Sequence, residues 1–189
     1  MTTEARMRLA LPYLSPLWLM AVAVLPLPTQ AVFLEFSALV VERTCTLSLN
    51  RSTLPLGDIP QSRLRPGQLV AQQPFVLSVK DCSGRPGGSL KPVVTVSGSG
   101  ALHDGRWLFR GFGAHSATGV MVIQSDSEAE YSQPELRDGS IIALGNNGDV
   151  PRDQSFTFYA GASCGGNTGC AANTPGALTA SVSFTFTYQ

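Results

Sequence analysis

An all-β fold, an antiparallel sandwich, is what this sequence predicts, and three observations carry the prediction. First, Leu178, Ala180, Val182, Phe184, Phe186 and Tyr188 alternate without a break with Thr179, Ser181, Ser183, Thr185 and Thr187. A period of two lays the apolar set on one face of a strand, whereas a helix would scatter it around its circumference. Second, short β-branched and aromatic runs recur along the chain, each bounded by Gly and Pro. Third, no window of ten or more residues after residue 31 carries an i, i+3, i+4, i+7 apolar stripe. Short strands between Gly/Pro turns specify an antiparallel sandwich of immunoglobulin-like type.

Taken in chain order, the first element is an address. Arg6 and Arg8 precede an apolar stretch from Leu9 to Leu25, which closes on Pro26-Leu27-Pro28-Thr29-Gln30-Ala31. A basic start, an apolar middle and a small-x-small end describe a secretory signal peptide over residues 1–31, cut after Ala31. A membrane anchor is the rival reading. Its most continuous apolar run, Leu17 to Leu25, is far short of the roughly 20 residues a spanning helix needs.

The next segment is unusual for a strand. Val32, Leu34, Phe36, Ala38 and Val40 alternate with Phe33, Glu35, Ser37, Leu39 and Val41, so much of both faces is apolar. That suits a strand buried in a foreign groove, and the plain alternative is a first strand of the sandwich itself. Further strands are expected at Phe75–Val79, Val93–Val96, Val120–Ile123 and Phe156–Ala160, with another where Trp107 and Phe109 alternate. Leu54 to Pro74 holds Pro55, Pro60, Pro66 and Pro74 and reads as a long excursion at a sheet edge.

Cys45, Cys82, Cys164 and Cys170 all follow the signal, and an even count in an oxidising compartment implies two disulfides. Four cysteines allow three pairings. The Gly-rich turn from Cys164 to Cys170 can fold back on itself, which makes those two natural partners and leaves Cys45 for Cys82. Zinc fits poorly, because no spacing is Cys-x2-Cys and no His lies nearby. Neither a metal nor a cofactor is expected.

Composition removes other classes. Thirteen Lys+Arg balance thirteen Asp+Glu in 189 residues, which argues against a nucleic-acid partner. Charged residues make up 14% and hydrophobic ones 43%, which argues against a disordered chain. Gly161-Ala162-Ser163-Cys164-Gly165 fits the G-x-S-x-G pattern of a hydrolase elbow, but the residues after Ser163 are poor helix formers. His103 and His115 precede that Ser, whereas such hydrolases place their His last. No enzyme is expected. Asn50-Arg51-Ser52 is a glycosylation triplet by pattern alone. Trp107, Phe109 and Phe112 among Arg106 and Arg110 could form a receptor patch, although core-facing alternation accounts for Trp107 and Phe109.

The order of these features resembles the subunits of chaperone–usher (type 1 pilus-like) fimbriae. An alternating apolar N-terminal extension with one small residue, here Ala38, lies just upstream of the first cysteine. Pro74 to Cys82 is similar to that family's apolar strand ending in Asp-Cys. Ala117-Thr118-Gly119-Val120-Met121-Val122-Ile123-Gln124-Ser125-Asp126 is similar to its central strand. Phe184-Thr185-Phe186-Thr187-Tyr188-Gln189 resembles its final strand and penultimate Tyr. The Cys164–Cys170 pair departs from the commonest two-cysteine pattern and implies a minor pilin.

The resemblance implies an immunoglobulin-like sandwich that is incomplete, its last strand missing, with residues 1–31 as signal peptide, 32–44 as donor-strand extension and 45–189 as pilin domain. The donor plugs are then Val32, Leu34, Phe36, Ala38 and Val40. The edge offered to a partner is Leu178, Ala180, Val182, Phe184, Phe186, Tyr188 and Gln189. Implied partners are a periplasmic chaperone, an outer-membrane usher and neighbouring fimbrial subunits, with export through the periplasm to the cell surface and a role in cell adhesion. No membrane span is expected after residue 31. The alternative is a secreted receptor-binding sandwich, an adhesin, acting alone.

Overall fold

The computed structural model describes residues 32–39, 45–84, 88–111 and 117–189, the first of these segments as backbone. Among them are β1 (Val32–Leu39), β2 (Thr46–Leu49), β3 (Thr53–Gly57), β4 (Val70–Lys80), β5 (Pro92–Ser97) and β6 (Gly100–His103). They are followed by β7 (Arg106–Phe109), β8 (Gly119–Gln124), β9 (Glu135–Leu136), β10 (Ile141–Ala143), β11 (Gln154–Ser163), the one-turn α1 (Asn167–Ala171) and β12 (Thr179–Tyr188). One sheet runs β10-β5-β12-β1-β3 and the other β2-β4-β11-β8-β7-β6, with β9 beside β8. Every pair is antiparallel except β1 with β12, which is parallel.

The core lies between the sheets. Ala180, Val182, Phe184 and Phe186 of β12 are buried while Thr179 and Ser181 face outward, as the period of two requires. Phe184 meets Phe158 of β11 and Phe75 of β4 at ring-centroid distances of 5.7 and 6.2 Å, and those two stack at 5.3 Å. All three rings are fully buried, each contributing about 1.5–3 kcal/mol on burial.

The continuous apolar run of β8 is covered on both faces. Val120 and Val122 enter the main core, whereas Met121 and Ile123 pack with Leu108 and Ala129 in a second cluster. The loop that carries Ala129 is held there by Gln72, whose amide donates to Ala129 O at 2.9 Å and accepts from Ala129 N at 3.0 Å.

The stretch from Leu54 to Pro74 is more regular than its prolines suggest, since it holds β3 and the start of β4. Pro74 sits inside β4 opposite Tyr159 of β11. Its missing N–H belongs to the side that β2 does not reach, because β2 pairs only with Leu77 to Lys80. There Asn50 ends the ladder: its N–H donates to Val76 O, and its side-chain oxygen accepts from Val76 N at 2.8 Å. The Asn of the glycosylation triplet is thus a turn anchor.

Cys45 is joined to Cys82 and Cys164 to Cys170. The first bridge spans 37 positions, which the loop-entropy model rates at about 4 kcal/mol. It also fixes where β2 begins, and hence where the segment leading back to β1 is anchored.

Candidate functional site

Among the described residues, β3 belongs to its sheet only through β1, which lies between it and β12. Removing β1 would leave the facing edges of β12 and β3 with unpaired backbone groups above an apolar floor, a costly arrangement. This slot is the candidate site.

The register defines it. Leu34 is opposite Ala180, Phe36 opposite Val182 and Ala38 opposite Phe184. On the other flank Leu34 is opposite Leu54, and all four facing residues, Ala180, Val182, Phe184 and Leu54, are buried. The positions Leu34, Phe36 and Ala38 therefore share the core face. Phe33, Glu35, Ser37 and Leu39 align with Thr179, Ser181, Ser183 and Thr185 on the outer face. The small residue of the series aligns with Phe184, the fully buried ring of β12. Val32 lies beside a register shift against β3, and Val40 is outside the described residues.

The sequence alone suggested a free outer edge for the terminal strand. In the structure β12 is an interior strand, its second edge covered by β1 of the same chain. At its end, Gln189 and Lys91 exchange backbone hydrogen bonds, Gln189 Nε2 donates to Thr95 Oγ1 at 3.3 Å, and the Tyr188 hydroxyl donates to Asp149 O at 3.5 Å. Leu178 is buried just before β12, and Tyr188 packs on the core from its end, edge-on to Phe186.

Two polar clusters, unforeseen in the sequence reading, brace the opposite sheet. Asp104 and Gly105 form the tip of the β6–β7 hairpin with φ of 50° and 80°, as a two-residue Asp-Gly turn demands. That dipeptide is the signal that could have placed the hairpin. The N–H of Gly169 in α1 donates to Asp104 Oδ2 at 3.1 Å. This bond, with others from Thr168 and Gly166, holds the carboxyl below the usual range. Beside it, burial and then Arg110 lower the pKa of His103, favouring the neutral ring.

The second cluster surrounds the buried Glu135. Burial pushes its carboxyl upward, but the bond from Arg106 at 2.8 Å, its own backbone N–H and the Trp107 N–H at 3.2 Å hold it below the usual range; Arg137 also donates to it at 3.0 Å. Arg106 also donates to the carbonyls of Ser132 and Gln133 and lies 5.2 Å from the Tyr131 ring centroid.

These contacts bear on the rival readings. Arg106 is committed to Glu135, Trp107 packs edge-on to Phe109 at 6.1 Å, and Phe109 is fully buried. Arg106, Trp107 and Phe109 are thus engaged within the fold and Arg110 is half-buried, while Phe112 and His115 are outside the described residues. Ser163 is fully buried at the end of β11 and accepts a hydrogen bond from Gly165 N–H, so its hydroxyl is not presented as a nucleophile. Among the described residues, no group of three or more His, Cys, Asp or Glu could hold a metal ion. No helix among them is long and apolar enough to cross a membrane.

The solved crystal structure of the P pilus rod subunit PapA is similar to this chain at 16% identity and a TM-score of 0.47, covering 77% of this chain and 99% of that one. No curated protein matches. The family model described as fimbrial protein matches residues 34–189, a span that takes in nearly all of β1 and every strand after it. This chain belongs to the fimbrial protein family.

Proposed function

We propose that this fimbrial subunit is polymerised by donor-strand exchange, the Val32–Val40 segment of one copy filling the β12–β3 slot of the next. The observation that carries the reading is the slot itself: among the described residues, β3 joins its sheet only through a strand from outside the Cys45–Gln189 body. Four large plugs, Val32, Leu34, Phe36 and Val40, give a gross gain of roughly 6–12 kcal/mol at about 1.5–3 each. The ladder hydrogen bonds set the register and satisfy the edges. An exposed slot is an aggregation hazard. A periplasmic chaperone therefore covers Leu178 to Gln189 before an outer-membrane usher passes the subunit to the surface, and adhesion is a property of the finished fibre.

In this reading residues 1–31 are the export signal, 32–44 the donor extension and 45–189 the pilin domain. Fibres sheared from the cell surface should contain this chain, and N-terminal sequencing of the recovered chain should start at Val32. A chain found only as a soluble secreted monomer would favour the stand-alone adhesin. Recovery in the fibre with residues 1–31 attached would overturn the donor assignment.

A further inference from the structure

We propose that the Cys164–Cys170 ring is a clasp for one end of the acceptor slot. It holds the first half of β12 in place, so the subunit's grip on a neighbour's strand depends on this second disulfide. The proposal rests on the donor-strand reading above. Support for β12 is uneven along its length. Among the described residues, the β5 ladder runs from Ser183 to Tyr188 and stops there. Residues 179–182 are the part of the slot wall aligned with Phe33 to Phe36, and their far side is held at points. Gly111 N–H donates to Thr179 O at 2.7 Å. Gly98 lies so close that a Cβ on it would be 2.5 Å from the Ser181 carbonyl oxygen. A strand end held by point contacts in place of a ladder opens more easily than the rest.

Two routes lead from the ring to this end. The first is the chain itself. Cys164 follows the last residue of β11 and is fully buried, which roots the ring in the core. Past Cys170, Asn173 is gripped twice: Gln61 Nε2 donates to its backbone carbonyl at 3.1 Å, and Thr118 Oγ1 donates to its side-chain oxygen. Thr174 to Ala177 are exposed, and the buried Leu178 then leads into β12.

The second route is the β6–β7 hairpin. Its tip is seated on the ring, where Gly169 N–H donates to Asp104 Oδ2 at 3.1 Å. The fit is close enough that a Cβ on Gly166 would lie 2.7 Å from Asp104 Cβ. From that seat β7 runs through Arg110, whose N–H donates to Ser99 O, to the Gly111 that holds Thr179. A bridge over six positions leaves the ring few conformations. While it is closed, α1 is fixed, and with it both the hairpin seat and the approach to Asn173. Opening the ring loosens both routes at once. The Ser183 to Tyr188 half of β12 keeps its β5 ladder and is spared.

The test reads local opening of β12 and the strength of the fibre joint in the same two variants. Cys164→Ala with Cys170→Ala removes the ring and leaves no lone thiol. Asp104→Gly keeps both disulfides and suits the positive φ of the turn, but removes the acceptor for Gly169 N–H. In the full chain purified from its host, amide hydrogen exchange at residues 178–182 should be about 10-fold faster in both variants, as the loss of one charge-assisted bond implies. Residues 184–188 should stay within about 2-fold of wild type. Fibres containing either variant should release subunits about 10-fold faster on heating in detergent. Unchanged exchange at 178–182 in Asp104→Gly would overturn the proposal, whether or not the cysteine variant folds. Equal acceleration along all of β12 would also overturn it, because the ring would then support the domain as a whole. Local acceleration with wild-type release would overturn its role in the joint. In each of these cases donor-strand exchange stands while Phe36→Arg is kept out of the fibre. Normal incorporation of Phe36→Arg would overturn that reading and the clasp with it.

Discussion

Phe36→Arg is expected to remove the subunit's ability to donate altogether. Phe36 is aligned with the buried Val182, so the substitution loses the burial of a Phe, about 1.5–3 kcal/mol. It also places an unpaired charge over an apolar floor, at a cost of several kcal/mol more. Together these amount to at least about a 1,000-fold loss in joining at 1.4 kcal/mol per tenfold. The variant's own slot still consists of wild-type β12 and β3. Mixed with wild-type copies it should accept a donor and then fail to pass growth on, giving fewer and shorter fibres in electron micrographs. Ala38→Phe should act in the same direction by overpacking against Phe184, at about 1–3 kcal/mol. Normal incorporation of both variants would make β1 an ordinary strand of its own domain.

Phe184→Ala carries the largest expected cost to the fold itself. The ring is fully buried and within 6.2 Å of both Phe75 and Phe158, so truncation opens a cavity where the two sheets meet. Phe-to-Ala changes at such positions cost about 3–5 kcal/mol, a large part of the roughly 5–15 kcal/mol that holds a domain together. Thermal unfolding should shift down by about 10–15 °C for a domain of this size. Thr187→Ala, on the outer side of the same strand, should stay within about 0.5 kcal/mol. A loss below about 1 kcal/mol for Phe184→Ala would contradict its place at the centre of the core.

What could be read from the sequence depended on whether a feature was local. The alternation in β12 is a property of eleven adjacent residues from Leu178 to Tyr188, and burial follows it position by position. The apolar run of β8 signalled a strand but not the reason for its double burial, which is Gln72 gripping a loop far along the chain. The sequence reading singled out neither Asp104 nor Glu135. Their roles come from α1 and from Arg106, Arg137 and Trp107, contacts that no short window contains. For the candidate site, the apolar series at Val32–Val40 was visible in composition, and its small member was identifiable as Ala38. Its parallel pairing with β12 was not, because no short window holds both strands. Pro74 misled for a related reason: a proline reads as a break unless the open side of its strand is known.

The central claim is that one copy's Val32–Leu39 segment occupies the slot of another. Fibres grown from an equal mixture of isotopically light and heavy subunits, each bearing a photoreactive group on Ser37→Cys, test it most directly. Mass spectrometry of the crosslinked peptides joining this position to Thr179–Tyr188 or Thr53–Gly57 identifies the donor and acceptor copies. The account predicts light–heavy pairs as often as like pairs, because donor and acceptor come from different chains. Crosslinks that are exclusively light–light and heavy–heavy would show that β1 never leaves its own chain in the fibre, and would contradict the account.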